Sequence, residues 1–354
     1  MQNLIISGIG PLSPSGAGKE KLWELLSGSP SVIKEITRFS SLPGAKGGEI
    51  ADKDIDAHID ARKFRRAADV SKYAMAAIGL AINDAGLDSV RGEDSAMVAA
   101  ITHGALNYTQ DYHESLLTGG VEDISPALFS DSVLNAPAGN ASICFGIQGA
   151  VHTIIGGVSA SIKASIMACR LLEEDSIQRA AVIATEEINE LSFYCRRKFG
   201  ESIMSEGAGA ILIERNNGER NSQRYCSISG FSSYLDTSDL DKSFRTAVDR
   251  ALAMAGIKKQ DLNFALVDMP PGIHSGYLDN IQQNSVSRYT GNAFCVSSIW
   301  NIIIAAYIID KGFLPEYFSE TGKKPDNADN IKNVLVCSLE KTGSAAAMVL
   351  TKIA

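Results

Sequence analysis

Along the chain, short apolar runs alternate with longer stretches in which Ala, Ile and Leu recur every three or four positions. Residues 4–8 form the first apolar run and read as a strand. Residues 67–85 carry Ala and Ile at helical spacing and stop before Gly86. Glycine closes helices because it enters the left-handed conformation without a Cβ clash. Residues 97–102 read as a strand, 152–155 as a strand running into Gly156-Gly157, 159–173 as a helix and 180–184 as a strand. Short, continuously apolar strands alternating with helices predict an α/β fold whose strands are covered on both faces.

The second half repeats the pattern. Residues 225–230, 264–267 and 293–297 read as strands, and 244–255 and 299–310 as helices. The halves also end alike. Gly207-Ala208-Gly209-Ala210-Ile211-Leu212-Ile213 closes the first, and Gly343-Ser344-Ala345-Ala346-Ala347-Met348-Val349-Leu350 closes the second. Small residues feeding an apolar strand at both places predict an internal duplication, with halves at 1–214 and 225–354 forming one compact unit. Residues 215–224 are polar and contain glycine, so they read as the connector.

Composition narrows function more than fold. The 354 residues are 45% hydrophobic and 21% charged, a globular composition long enough for a large core. A formal net charge of −8 and no run of Lys and Arg argue against nucleic acid or anionic membrane as partners. The first residues lack the basic and apolar segments of a signal peptide, and no stretch approaches the ~20 apolar residues of a membrane helix. A soluble, cytoplasmic protein is expected. Cys144, Cys169, Cys195, Cys226, Cys295 and Cys337 form no Cys-x-x-Cys pair and have no His at ligand spacing. They are expected to be reduced, with no metal site and no disulfide framework.

Two glycine motifs fail on their own residues. Gly8-Ile9-Gly10 needs a third glycine where Ser13 stands, and Gly18-Lys19 needs Ser or Thr where Glu20 stands. Residues 152–170 carry more: a strand, a Gly-Gly turn and a small-residue helix. A helix N-terminus offers free N–H groups and a positive dipole end, which activate a nucleophile or bind an oxyanion. In an arbitrary protein the same arrangement is a plain crossover turn.

A wider resemblance gives that turn a meaning. Ile5-Ile6-Ser7-Gly8-Ile9-Gly10-Pro11-Leu12-Ser13-Pro14-Ser15-Gly16 resembles the opening strand and loop of β-ketoacyl synthases of the thiolase superfamily. Ile36-Thr37-Arg38-Phe39 follows at the family's spacing. Asn135-Ala136-Pro137-Ala138-Gly139-Asn140-Ala141-Ser142-Ile143, then Phe145-Gly146 and Gly149, resembles the segment before the nucleophile, and Ser205-Glu206-Gly207-Ala208-Gly209 the end of the first half. The resemblance covers most of the chain. It implies a thiolase-like fold, with two half-domains forming a five-layered αβαβα sandwich. It also implies decarboxylative condensation through a Cys nucleophile at a helix N-terminus, two His residues, a Lys and a Gly-rich C-terminal loop.

This sequence departs at each of those positions. Val158 stands at the nucleophile position. Counting back from Asp279 puts Pro271 at the first His, with Ile273 and Ser275 at the Thr positions and His274 three residues out of place. Val296-Ser297-Ser298 runs straight into Ile299-Trp300-Asn301-Ile302, so the loop for the second His and the Lys reads as shortened and both as absent. The glycine loop is Leu339-Glu340-Lys341-Thr342-Gly343, with one glycine left. Joint loss of a nucleophile and its partners costs ~10⁶ in rate. Cys169 lies ~16 Å along the helix from Val158, and Ser159 has no base in its sequence context.

The expectation is therefore a chain-length-factor type subunit, not an enzyme by itself. Such a subunit heterodimerises with an active ketosynthase and bounds its acyl tunnel, in type II polyketide, polyene or fatty-acid-like biosynthesis. The short second half most resembles the aryl-polyene factors. Val158 departs from the Gln common in aromatic-polyketide factors. Alternatives are an acyltransferase or other enzyme of the same fold using Ser159 or His274, and a homodimeric acyl-binding or scaffold protein. The resemblance implies that Ala150, Val151, His152, Thr153, Ile154 and Ile155 pair across a two-fold axis. It puts His103 at a pocket wall and Leu128 and Phe129 at the crossing toward the partner. Residues 108–117 read as a helix with Tyr108, Tyr112 and Leu116 on one face. Tyr108 and Tyr112 are assigned to the tunnel, and Leu116 to the core. Acyl carrier protein, acidic like this chain, is expected to be contacted mainly through the partner. No cofactor is expected.

Overall fold

A computed structural model describes residues 4–39, 41–59, 64–198, 200, 203–216, 224–319 and 331–353. Most of the connector read at 215–224 lies outside the described residues. The first half contributes β1 (Leu4–Ser13), β2 (Ser95–Ile101), β3 (Val151–Ile155), β4 (Arg179–Glu186) and β5 (Gly207–Arg215). The second contributes β6 (Cys226–Leu235), β7 (Phe264–Asp268), β8 (Gln283–Asn284), β9 (Asn333–Leu339) and β10 (Ser344–Thr351). Hydrogen bonds join them in the order β8-β7-β9-β10-β6-β1-β5-β4-β2-β3. Outward from the centre, each half runs first strand, last strand, then three more, the last three mutually parallel. The halves meet through β1 and β6 at Ile5↔Ser227 and Ile6↔Cys226.

One device recurs in both halves. The register slips between Ile6 and Gly8 in β1 and between Ile228 and Gly230 in β6. Each glycine lies against a helix: α1 (Asp69–Asp84) for Gly8 and, in the second half, residues Leu240–Ala255 for Gly230. A Cβ at Gly8 would sit 2.2 Å from the Ala81 carbonyl oxygen, and one at Gly230 2.1 Å from that of Ala251. Only a missing side chain allows strand and helix to approach this closely.

The helices that build the layers and the far edge, besides α1, are α2 (Leu106–Gly119), α3 (Pro126–Ser132), α4 (Ala136–Phe145), α5 (Ala160–Leu171), α6 (Leu240–Ala255) and α7 (Cys295–Lys311). Strand side chains alternate between two apolar layers. In β2, Ala96, Val98 and Ala100 face a central layer holding α5 and α7, while Met97 and Ala99 face α1. In β9, Val334 and Val336 face the same central layer, while Leu335 and Cys337 face α6. The result is five layers, α1, sheet, α5 with α7, sheet and α6, which is the thiolase-like arrangement.

Residues 293–297, read above as a strand, are not one. The helix α7 begins at Cys295 and is buried on every side from there to Ile309. A helix hidden all round shows no polar stripe, so a short apolar run inside it cannot be told from a strand by periodicity. Phe294, just before it, takes φ 53°, the one positive φ among described non-glycine residues.

The far edge of the first half is unlike the rest. β3 ends the sheet, and its Val151, His152 and Ile155 are exposed, Ile155 at 60%. α2 and α3 pack on each other and contain no buried residue. Leu116, read above as core-facing, is only half-buried. Leu117, Phe129 and Ile143 stand exposed beside this edge at 84%, 56% and 70%.

Candidate ketosynthase-type pocket

The Gly156-Gly157 turn carries β3 into α5 and brings Val158 to the wall of a cavity of about 470 Å³. Pro271, Asn292, Phe294 and Glu340 line the same cavity. Chain segments far apart in sequence thus converge where the resemblance placed the nucleophile, the first His and the glycine loop. Val296, Ser297 and Ser298, after which a shortened loop was expected, lie inside α7, and the segment before that helix lines the cavity through Ser287, Arg288, Gly291 and Asn292. It holds neither His nor Lys. Asn292 escaped the sequence reading because a strand assigned to 293–297 moved the search to the wrong side of that segment. The signal that could have found it is Thr290-Gly291-Asn292, polar residues with a turn-forming glycine immediately before a buried helix.

That loop is fixed from beneath. Asp268, buried, accepts hydrogen bonds from the Ser287 hydroxyl at 2.9 Å and the Asn301 amide nitrogen at 2.7 Å, and from the Ser285 hydroxyl. Burial raises its carboxyl above the ordinary range, opposed by these donors.

The head of α5 is already occupied. A carboxylate oxygen of Glu340 accepts from the Ser159 N–H at 3.1 Å and from the Ser159 hydroxyl. A Cβ on Gly157 would lie 3.1 Å from the Glu340 carboxyl carbon, so the glycine leaves that carboxyl its space. Lys163, one turn along α5, donates to the Ser344 hydroxyl, which lies 3.4 Å from that of Ser159. Burial lowers the Lys163 pKa, with the Glu340 charge acting against it.

The alternative nucleophiles are poorly placed. Ser159 is fully buried. His274 is exposed, 3.0 Å from the Asp279 carboxylate, and is not among the cavity-lining residues. Burial pushes the Cys169 thiol up to about 12, and the reactive form of a thiol is the thiolate.

The residues assigned to a tunnel divide into two groups. His103 and Tyr108 are tied to their own chain. His103 Nδ1 lies 3.2 Å from the buried Glu186 carboxylate, and its ring meets Phe294 edge-on at 4.4 Å. The Tyr108 hydroxyl donates to the Arg66 carbonyl at 2.8 Å, and its ring packs on Ala68, Val70 and Ala105. Tyr112, Leu128 and Phe129 lie on the outer pair of helices, with the Tyr112 and Phe129 rings 5.9 Å apart. Ala150, Thr153 and Ile154 are half-buried at the β3 edge.

Glu187 sits beneath this outer pair. It is buried and accepts from the Asn107 N–H, in the first turn of α2, at 2.9 Å. Desolvation pushes its carboxyl up to about 8. A carboxyl raised from about 4.5 to about 8 favours folding most when neutral. That contribution is complete below pH ~4.5 and is lost as pH rises to about 8. Glu187→Gln keeps the acceptor and cannot ionise. Thermal melts should show it stabilised over wild type by a few kcal/mol at pH 9 and nearly equal to it at pH 4.5. An equal offset at both pH values would contradict this.

Net charge concealed one feature. Although the chain carries −8, Arg196, Arg288 and Lys341 all line the cavity. The Arg196 guanidinium lies 4.7 Å above the Phe294 ring. Among the described residues, no cluster of His, Cys, Asp or Glu could hold a metal, and no helix is long and apolar enough to cross a membrane.

Comparison with known proteins gives the family. Residues 1–202 match the family model of the β-ketoacyl synthase N-terminal domain, and the chain belongs to that family. It is 23% identical over 297 residues to a 3-oxoacyl-[acyl-carrier-protein] synthase 2 of Coxiella burnetii, covering 74% of this chain and 72% of that protein. It is 25% identical over 305 residues, at the same coverage, to a putative polyketide β-ketoacyl synthase 1 of Streptomyces halstedii. The ishigamide ketosynthase/chain length factor superposes over the whole of both chains with a TM-score of 0.86 at 17% identity, a likeness of fold.

Proposed function

We propose that this chain is a non-catalytic ketosynthase-like subunit, a chain-length factor that pairs with an active ketosynthase and bounds its acyl tunnel. One observation carries the reading: at the head of α5 an apolar Val158 stands beside a seat filled by the chain's own Glu340. The loop before α7 holds no His or Lys, and His274, three residues from Pro271, is not among the cavity-lining residues, so no imidazole is placed there to stabilise an enolate. Condensation needs a thiolate and an open oxyanion site together. The aryl-polyene, polyketide and fatty-acid-like settings are all compatible with such a subunit. Acyl carrier protein is then served mainly by the partner, whose nucleophile is intact, even though this chain's own cavity has a basic lining.

The pairing face is β3 with α2 and α3. An edge strand with exposed apolar residues is a ready template for pairing with another chain, and two helices without a buried residue need cover. Tyr112 and Leu128 close the floor of the partner's tunnel in this reading. Tyr112→Ala and Leu128→Ala should lengthen the product or broaden its distribution, with the first condensation largely intact, as read by mass spectrometry of products from the reconstituted pair. Unchanged product length from an intact heterodimer would count against the assignment.

A further inference from the structure

Glu340 reaches α5 from a rigid support. Residues 340–343 are the turn between β9 and β10, closed by the Glu340 N–H on the Ser344 carbonyl at 2.9 Å and the Gly343 N–H on the Glu340 carbonyl at 2.9 Å. Gly343 has φ +86°, and a Cβ there would lie 2.1 Å from the Asp236 carbonyl oxygen, so the turn is fixed against the neighbouring strand end. The turn aims a carboxylate at the two donors of Ser159, over the bare Gly157, with the half-buried Lys163 ammonium one turn further along the helix. Those donors and that positive helix end are what a bound oxyanion would use. A carboxylate held on the same chain meets them at a high effective concentration, so a free anion must compete with an intramolecular one.

We propose that Glu340 is an autoinhibitory pseudo-ligand that holds this seat closed to external carboxylates. The closure keeps the free carboxylate of a malonyl group from being captured on this subunit and leaves malonyl groups to its partner. The inference rests on the reading of the chain as non-condensing, but it concerns this chain alone, so its test needs no partner and fails or succeeds separately from the heterodimer.

The test is isothermal titration of wild type, Glu340→Ala and Glu340→Ser with malonate at pH 7, each variant first checked for a wild-type melting curve. Two variants are used so that a folding defect in one leaves the other to decide. Wild type should give no saturable binding, and the variants should bind malonate at least tenfold more tightly than wild type. Folded variants no better than wild type, or wild type binding malonate as tightly as they do, would overturn the proposal.

Discussion

Val158→Cys is expected to leave condensation at background. A thiol at that position would lie beside the Ser159 donors, but those donors already hold the Glu340 carboxylate. A nearby negative charge raises a thiol's pKa and depletes the thiolate that would attack. The enolate left by decarboxylation would find Pro271 and Asn292 in the cavity wall. Pro271 offers no side-chain donor, and a neutral Asn amide does not replace a pair of imidazoles. Loss of a nucleophile with its partners costs ~10⁶, and restoring one member of such a set recovers little because the members act as a unit. Product formation by Val158→Cys without the partner, at a rate within ~10² of an active ketosynthase, would refute this account of the pocket.

The second large effect is at the sheet edge. Val151→Asp and Ile155→Asp should abolish pairing with the partner while leaving this chain folded. Both side chains are exposed in the single chain, Val151 at 38%, so a carboxylate there stays in water as long as no partner binds. Covering it in an apolar interface leaves an unpaired buried charge, a penalty of about 3–5 kcal/mol, or roughly 10²–10⁴ in affinity. Co-purification and analytical ultracentrifugation measure the pairing, and a melting curve measures the fold. Variants that still bind the partner within tenfold of wild type would remove β3 from the interface.

Much of this was legible in the chain itself. Strands covered on both faces leave unbroken apolar runs, so β2, β4, β7 and the ends of both halves stood out. Gly86 marked the close of α1. The pairing of Val158 with Pro271 across 113 positions followed from the family resemblance, which local pattern could not supply. What stayed hidden has physical causes. The wholly buried α7 carries no polar stripe, and the false strand at 293–297 followed from that. Glu340 reads in sequence as a spoiled glycine loop, because its bond to Ser159 spans 181 positions and depends on the Gly343 turn. The basic cavity lining was invisible because Arg196, Arg288 and Lys341 meet only in the fold, and an overall charge of −8 says nothing about where charges sit. Tyr108 and Tyr112 share a helix and looked equivalent, yet the first is bound to Arg66 and packed inward.

The most direct measurement of the central claim is intact-protein mass spectrometry of both subunits after the reconstituted pair is incubated with acyl-loaded carrier protein. The account predicts one acyl group on the partner ketosynthase and an unchanged mass for this chain. Stoichiometric acylation of this chain would contradict it.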